Sequence, residues 1–214
     1  MILTDIGEIG VNTGEEHFVL RPSLYAMSRL GTPSEIVHIF ASVMCETPHK
    51  YQLADALTVI YACAGDHDAS KAFGHVVDVQ AKPRILDAKQ ELKAAEYQPG
   101  LATIEQTIII AQTLLRHGVV GDLEPLKSRK NKEPEYVKEF DCREHASVAM
   151  AHLGVSSKEA WQMTMTEIVG ALRAKYPEPE ATGPGAKAPT IEEHDKTMEW
   201  FDKIEAKRAA AKKG

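Results

Sequence analysis

Three thiol–imidazole pairs carry most of the reactive chemistry in this chain: Cys45-x-x-x-His49, Cys63-x-x-x-His67 and Cys142-x-x-His145, with Asp66 and Asp68 flanking one imidazole. A thiolate beside an imidazole can serve as a nucleophile or as half of a metal site. Structural zinc usually takes four converging ligands from CxxC or HxxxH pairs, and neither spacing occurs here. A Cys–His nucleophile would need an oxyanion partner, and no such signature accompanies these pairs. Phosphate and hydrolase motifs of the GxxxxGK[ST], GxGxxG and GxSxG types are missing as well. Gly118-Val119-Val120-Gly121 is too short to cradle a phosphate and reads as a helix stop plus turn. Cysteines at apolar helical positions are small core residues more often than ligands, so the reading is reduced, buried thiols. No catalytic residue, cofactor or metal ligand is assigned. A small metal-dependent enzyme stands as a rival that metal analysis of the purified protein would decide.

Length and composition narrow the class of protein without specifying its function. With 214 residues the chain can form one core-bearing domain plus an appendage. A formal charge of −6 argues against a general nucleic-acid binder. No apolar run is long enough to span a bilayer, and Met1-Ile2-Leu3-Thr4-Asp5 lacks the basic start of a signal peptide. The expectation is a soluble, cytoplasmic protein. Lys127-Ser128-Arg129-Lys130-Asn131-Lys132 has no interleaved aromatic residue, which favours a solvated loop over a phosphate or acidic-partner contact.

The elements that must position these residues are mainly helical. Ile2 to Val11 and Phe18 to Arg21 flank a turn at Asn12-Thr13-Gly14 and predict a small N-terminal β-hairpin. Ser23 to Leu30 reads as a short helix. Thr32-Pro33-Ser34-Glu35 then opens another with a cap, a first-turn proline and a capping-box glutamate. That helix presents Ile36, Ile39, Phe40, Val43 and Met44, and the next, after Thr47-Pro48, presents Leu53, Ala56, Leu57, Ile60 and Tyr61 up to Gly65. Asp68 to Val79 is either a helix interrupted at Gly74 or one turning into an extended stretch. Ile85 to Tyr97 is weakly helical. The most apolar helix, Leu101 to His117, is expected to be central, with a stripe of Leu101, Ile104, Ile108, Ala111 and Leu115 widened by Ile109, Ile110 and Leu114. A linker-like run covers 121–134, and helical pattern resumes over 135–153 with Gly154 as its stop.

Two further capping boxes, Ser156-x-x-Glu159 and Thr164-x-x-Glu167, predict a short helix, a break and a second helix whose stripe is Met165, Ile168, Val169, Leu172 and Tyr176. Trp161, beside Met163 and Met165, reads as core. Beyond them, 177–189 is a Pro/Gly-rich linker with too little apolar bulk to fold. Residues 190–214 form a C-terminal amphipathic helix carrying Ile191, Met198, Trp200, Phe201 and Ile204, acidic at its start and basic near its end. The globular domain is thus expected over 1–176. Large apolar groups on a helix beyond a flexible arm either dock back or bind another chain, and the aromatic anchors favour the second. Met198, Trp200, Phe201 and Ile204 are the candidate partner-binding residues.

Leu153-Gly154, then Glu159-Ala160-Trp161, then Met163-Thr164-Met165-Thr166-Glu167-Ile168, followed by a linker and a charged tail helix, resembles the tail assembly chaperones of long-tailed bacteriophages. The resemblance implies a protein that coats the long, aggregation-prone tape measure protein and recruits major tail subunits, which displace it. Such a protein works in the host cell cytoplasm and is absent from the mature virion; self-association is compatible with the role. The resemblance also implies a longer frameshifted form, with a slippery tract near the codons of Ala211-Lys212-Lys213-Gly214. A structural virion component, such as a head–tail connector or minor tail protein, is the alternative, decided by whether the chain is found in finished particles.

Overall fold

The computed structural model describes residues 2–49, 51–77, 96–123, 137–177 and 198. Two compact units divide the chain, Met1–Lys175 and Tyr176–Gly214. The first is mainly α-helical with a small N-terminal sheet.

The sheet has three antiparallel strands in the order β1 (Ile2–Leu3), β2 (Ile9–Asn12) and β3 (His17–Leu20). The expected hairpin is β2–β3, with Asn12 opposite His17 and the Asn12 side chain accepting Gly14 N–H at 2.7 Å. The single segment expected over Ile2 to Val11 is instead two strands. Thr4 supplies the reason: its hydroxyl accepts Glu8 N–H and its carbonyl accepts Gly7 N–H, closing a turn that Gly7 completes at φ +87°. Ile9, Val11, Phe18 and Leu20 point into the core, as strand alternation requires.

Helices follow: α1 (Leu24–Ser28), α2 (Pro33–Met44) and α3 (Gln52–Ala64). The Thr32–Glu35 capping box forms as expected. α3 starts later than Thr47-Pro48, because the intervening loop is spent closing the end of α2. Buried Gln52 donates to Val43 O and Cys45 O, and Gln112 also reaches Val43 O, so carbonyls orphaned at a helix end gain partners. Of the α2 stripe, Ile36 and Val43 are buried while Ile39, Phe40 and Met44 are half-buried.

After α3 the chain makes α4 (Ser70–Phe73), then β4 (His75–Val77), which pairs antiparallel with β5 (Glu96–Gln98). Helix turning to strand at Gly74 was one of the two readings of this stretch. Tyr97, expected in a weak helix, lies in β5; the rest of that segment falls outside the described residues. Gly74 and Gly100 let two backbones meet, since a Cβ on Gly100 would lie 2.4 Å from Gly74 N.

α5 (Ile104–Leu115) departs from expectation at both ends. It starts at a Thr103–Gln106 capping box, leaving Leu101 outside. It runs past Gly118 through a π-helical turn (Arg116–Val120) closed by Gly121 N–H bonded to Arg116 O at 2.8 Å. Its buried side is Thr107, Ile110, Ala111, Leu114 and Leu115, so the expected stripe is rotated.

α6 (Cys142–Leu153) begins later than expected because Phe140 N–H bonds Pro33 O and holds the preceding chain against the start of α2. Gly154 ends it in the left-handed region as expected. α7 (Ser157–Gln162) and α8 (Met165–Lys175) complete the unit. Met165 and Ile168 are buried, Val169 and Leu172 are half-buried, and Tyr176 is exposed. Leu20, Leu24, Met27, Ile60, Phe73, Leu114, Leu115 and Ile168 are shielded almost completely from water. Each such burial contributes about 1.5–3 kcal/mol.

Candidate partner-binding surface

The α7–α8 motif forms as its sequence dictates. Ser156 caps α7 and Glu159 answers by accepting Ser156 N–H at 2.8 Å. Glu167 accepts Thr164 N–H at 2.7 Å, while Thr164 Oγ1 accepts Glu167 N–H at 3.2 Å. The break between the helices is not a free hinge. Leu24 N–H bonds Met163 O at 2.9 Å, Ser23 bridges Thr164, and Arg21 Nε donates to Gln162 O. The Arg21 guanidinium also joins the carboxylates of Glu8 and Glu167, tying the β1–β2 turn to the start of α8.

One residue further along, a second cluster crosses the same joint. His117 Nδ1 lies 2.9 Å from Thr166 Oγ1, and its Nε2 lies 3.5 Å from Asp122 Oδ2. Asp122 N–H donates to Thr166 Oγ1 at 3.0 Å. Gly7 lies directly against the ring, where a Cβ would come within 2.2 Å of His117 Cγ. Burial holds the imidazole below its usual pKa, with the Asp122 carboxylate opposing and Arg116 reinforcing that shift. A carboxylate, an imidazole and a hydroxyl in sequence is the connectivity of a hydrolase triad. Here the hydroxyl is buried and also accepts Asp122 N–H, so the three residues tie the end of α5 to the start of α8.

Of the three thiol–imidazole pairs, two place the thiol in the core and one does not. Cys63 and Cys142 are buried, but Cys45 is exposed, since it leaves α2 at its cap rather than continuing the apolar face. Burial pushes the Cys63 thiol well up and the Cys142 thiol up to about 11, so both stay protonated and poorly nucleophilic. His67 stacks on Phe18 at 5.7 Å and His145 on Phe140 at 4.8 Å. Among the described residues, no group of three His, Cys, Asp or Glu side chains is placed to hold a metal ion.

A polar cluster that the sequence did not reveal sits at the end of α2. The Ser42 hydroxyl donates to Asp55, and His49 Nε2 lies 3.1 Å from Ser42 O and 3.2 Å from Ser42 Oγ. It lines an open cleft of about 460 Å³ with His38 and Tyr51. The Ser42 hydroxyl is turned toward Asp55, so Ser42, His49 and Asp55 tie the end of α2 to the following loop and to α3. Trp161 packs against the core but is only half-buried, beside Phe140 and Arg143 in a cleft of about 360 Å³.

Of the four candidate partner-binding residues, Met198 is helical and 49 % exposed. Trp200, Phe201 and Ile204 lie outside the described residues, as do 178–189 of the linker and the Lys127–Lys132 cluster. The helical unit adds an apolar surface that sequence reading assigned to the core. Leu101 is 72 %, Ile109 60 % and Ile104 47 % exposed. Isolated apolar residues on a surface are ordinary, and these three lie at and just ahead of the start of α5 and on its outer side.

A family model described as a family of unknown function (DUF6246) matches residues 45–196, more than two thirds of the chain. The match takes in α3 to α8 and ends just before Met198. No curated protein and no solved structure matches the chain.

Proposed function

This chain belongs to a family of unknown function (DUF6246); beyond that membership, and on the motif resemblance alone, we propose that it is a tail assembly chaperone of a long-tailed bacteriophage. It binds the tape measure protein, holds it soluble in the host cytoplasm, and recruits major tail subunits that displace it, without performing catalysis. The observation that carries this reading is the Leu153–Ile168 motif, whose residues form the capped helix, break and capped helix that its likeness to the chaperones calls for. Protonated thiols and histidines committed to packing are in keeping with it. So is Met198, a large apolar side chain exposed on a helix in the second unit. Recognition is assigned to Met198, Trp200, Phe201 and Ile204, because aromatic anchors supply most of the energy of such contacts.

Co-expression with the tape measure protein and the major tail protein of the same phage tests the proposal. The tape measure protein should remain soluble and co-purify with this chain, and finished particles should lack the chain. A tape measure protein that aggregates equally with and without it refutes the reading. Recovery of the chain from mature particles favours the structural virion component instead.

A further inference from the structure

α5 is rich in apolar residues, yet one of its sides faces water. On that side Glu105, Ile109, Gln112 and Arg116 follow one another at steps of four, three and four residues, the spacing that keeps side chains in one row along a helix. Glu105, Ile109 and Arg116 are exposed and Gln112 is half-buried. Leu101 extends the row ahead of the Thr103 cap, and Val120, 57 % exposed, extends it through the π-helical turn.

The row is its own complement. Turned end for end about the point between Ile110 and Ala111, Glu105 falls opposite Arg116, Ile109 opposite Gln112, and Leu101 opposite Val120. The two charges are separated by about 16 Å along the axis at 1.5 Å per residue. The macrodipole accounts for an acid early and a base late on a helix, but not for exposed apolar residues interleaved between and beyond them. An antiparallel copy accounts for both, and it sets the helix dipoles against each other. The geometry points to a two-fold symmetric dimer in which the α5 helices of two copies of this chain pair antiparallel. Glu105 of each lies beside Arg116 of the other, with Ile109 near the centre of an isologous contact. This inference stands apart from the chaperone reading, since it names only a second copy of the chain.

Sedimentation equilibrium of the full chain over a concentration series is the test. The unaltered chain should sediment as a dimer at the upper concentrations. Glu105→Arg and Arg116→Glu should each weaken the dimer about a hundredfold, because one reversal places two symmetry-related like-charge pairs in the contact. Combining them should restore the dimer to within about tenfold of the original. A chain that stays monomeric throughout, or a dimer indifferent to both single reversals, overturns the proposal.

Should a reversal disturb folding, seen as a lost circular-dichroism melt, a second variant decides. Glu105→Cys with Arg116→Cys in a Cys45→Ser background places thiols about 16 Å apart within one chain, too far to bridge internally. Oxidation should then yield a covalent dimer on a non-reducing gel. Its absence overturns the antiparallel pairing.

Discussion

Around Thr164 and His117, polar side chains reach partners from distant elements, whereas along the outer side of α5 isoleucines stand in water. The first region is a joint in which Gly7, Glu8, Arg21, His117, Asp122, Thr166 and Glu167 hold the β1–β2 turn, the end of α5 and the start of α8 together. The second contributes only its inner side to the core and leaves Leu101, Ile104 and Ile109 exposed. Polar groups bonded on several sides, with His117 and Thr166 among them buried, specify one arrangement and tolerate little change. Exposed apolar groups add little to the stability of the isolated chain and remain free to be covered by another. The motif that resembles the chaperones therefore lies where the fold is tied together, and the exposed apolar side of α5 lies apart from it.

The sharpest way to break this contrast is to disturb the joint. Gly7→Ala forces a positive φ on alanine and drives its Cβ into the His117 ring, so urea denaturation should show a loss of about 3 kcal/mol. An unchanged midpoint would mean that the turn does not bear on His117. Trp161→Ala should cost about 2 kcal/mol in the same assay, less than a fully buried tryptophan, because part of its surface is already in water.

Acidification should work in the same direction more gently. His117 and His145 are both held below their usual pKa by burial, so the unfolded chain takes up protons first as pH falls. Their contribution is intact above about pH 6.5, the unfolded value, and is lost as pH drops from there toward the lower folded values. His117→Asn should flatten part of the decline in denaturation midpoint between about pH 7 and about pH 5. An equally steep decline in that variant would place the sensitivity elsewhere. At the small end, Ile109→Ser should alter the stability of the monomer by no more than about 0.5 kcal/mol. A larger loss would show that the α5 face is part of the core after all.

How legible each region was in the sequence follows from where its determinants lie. The starts of α2, α7 and α8 depend on residues three apart, Thr32–Glu35, Ser156–Glu159 and Thr164–Glu167, and all three form as read. Gly154 likewise acts locally. The facing of α5 could not be read, because apolar residues on nearly every side leave the choice to its neighbours. Thr107 turns inward despite its hydroxyl, which finds Thr103 O at 2.9 Å. The partner of His117 is Thr166, forty-nine positions away, and that of Gly74 is Gly100 across a strand pair. Buried Gln52 and half-buried Gln112 gave no signal either, since only the fold shows which carbonyls they must satisfy. Of the candidate recognition residues, Met198 alone is described, and it is exposed.

The account rests on recognition by the tail residues rather than by the joint. Isothermal titration of the full chain with the tape measure protein, beside the Trp200→Ala/Phe201→Ala variant, tests this most directly. The variant should melt like the unaltered chain and lose about 2–4 kcal/mol of binding, a weakening of about thirtyfold to about a thousandfold. Binding of unchanged strength by the folded variant would contradict the assignment, and an unaltered chain that fails to bind the tape measure protein at all would contradict the chaperone reading itself.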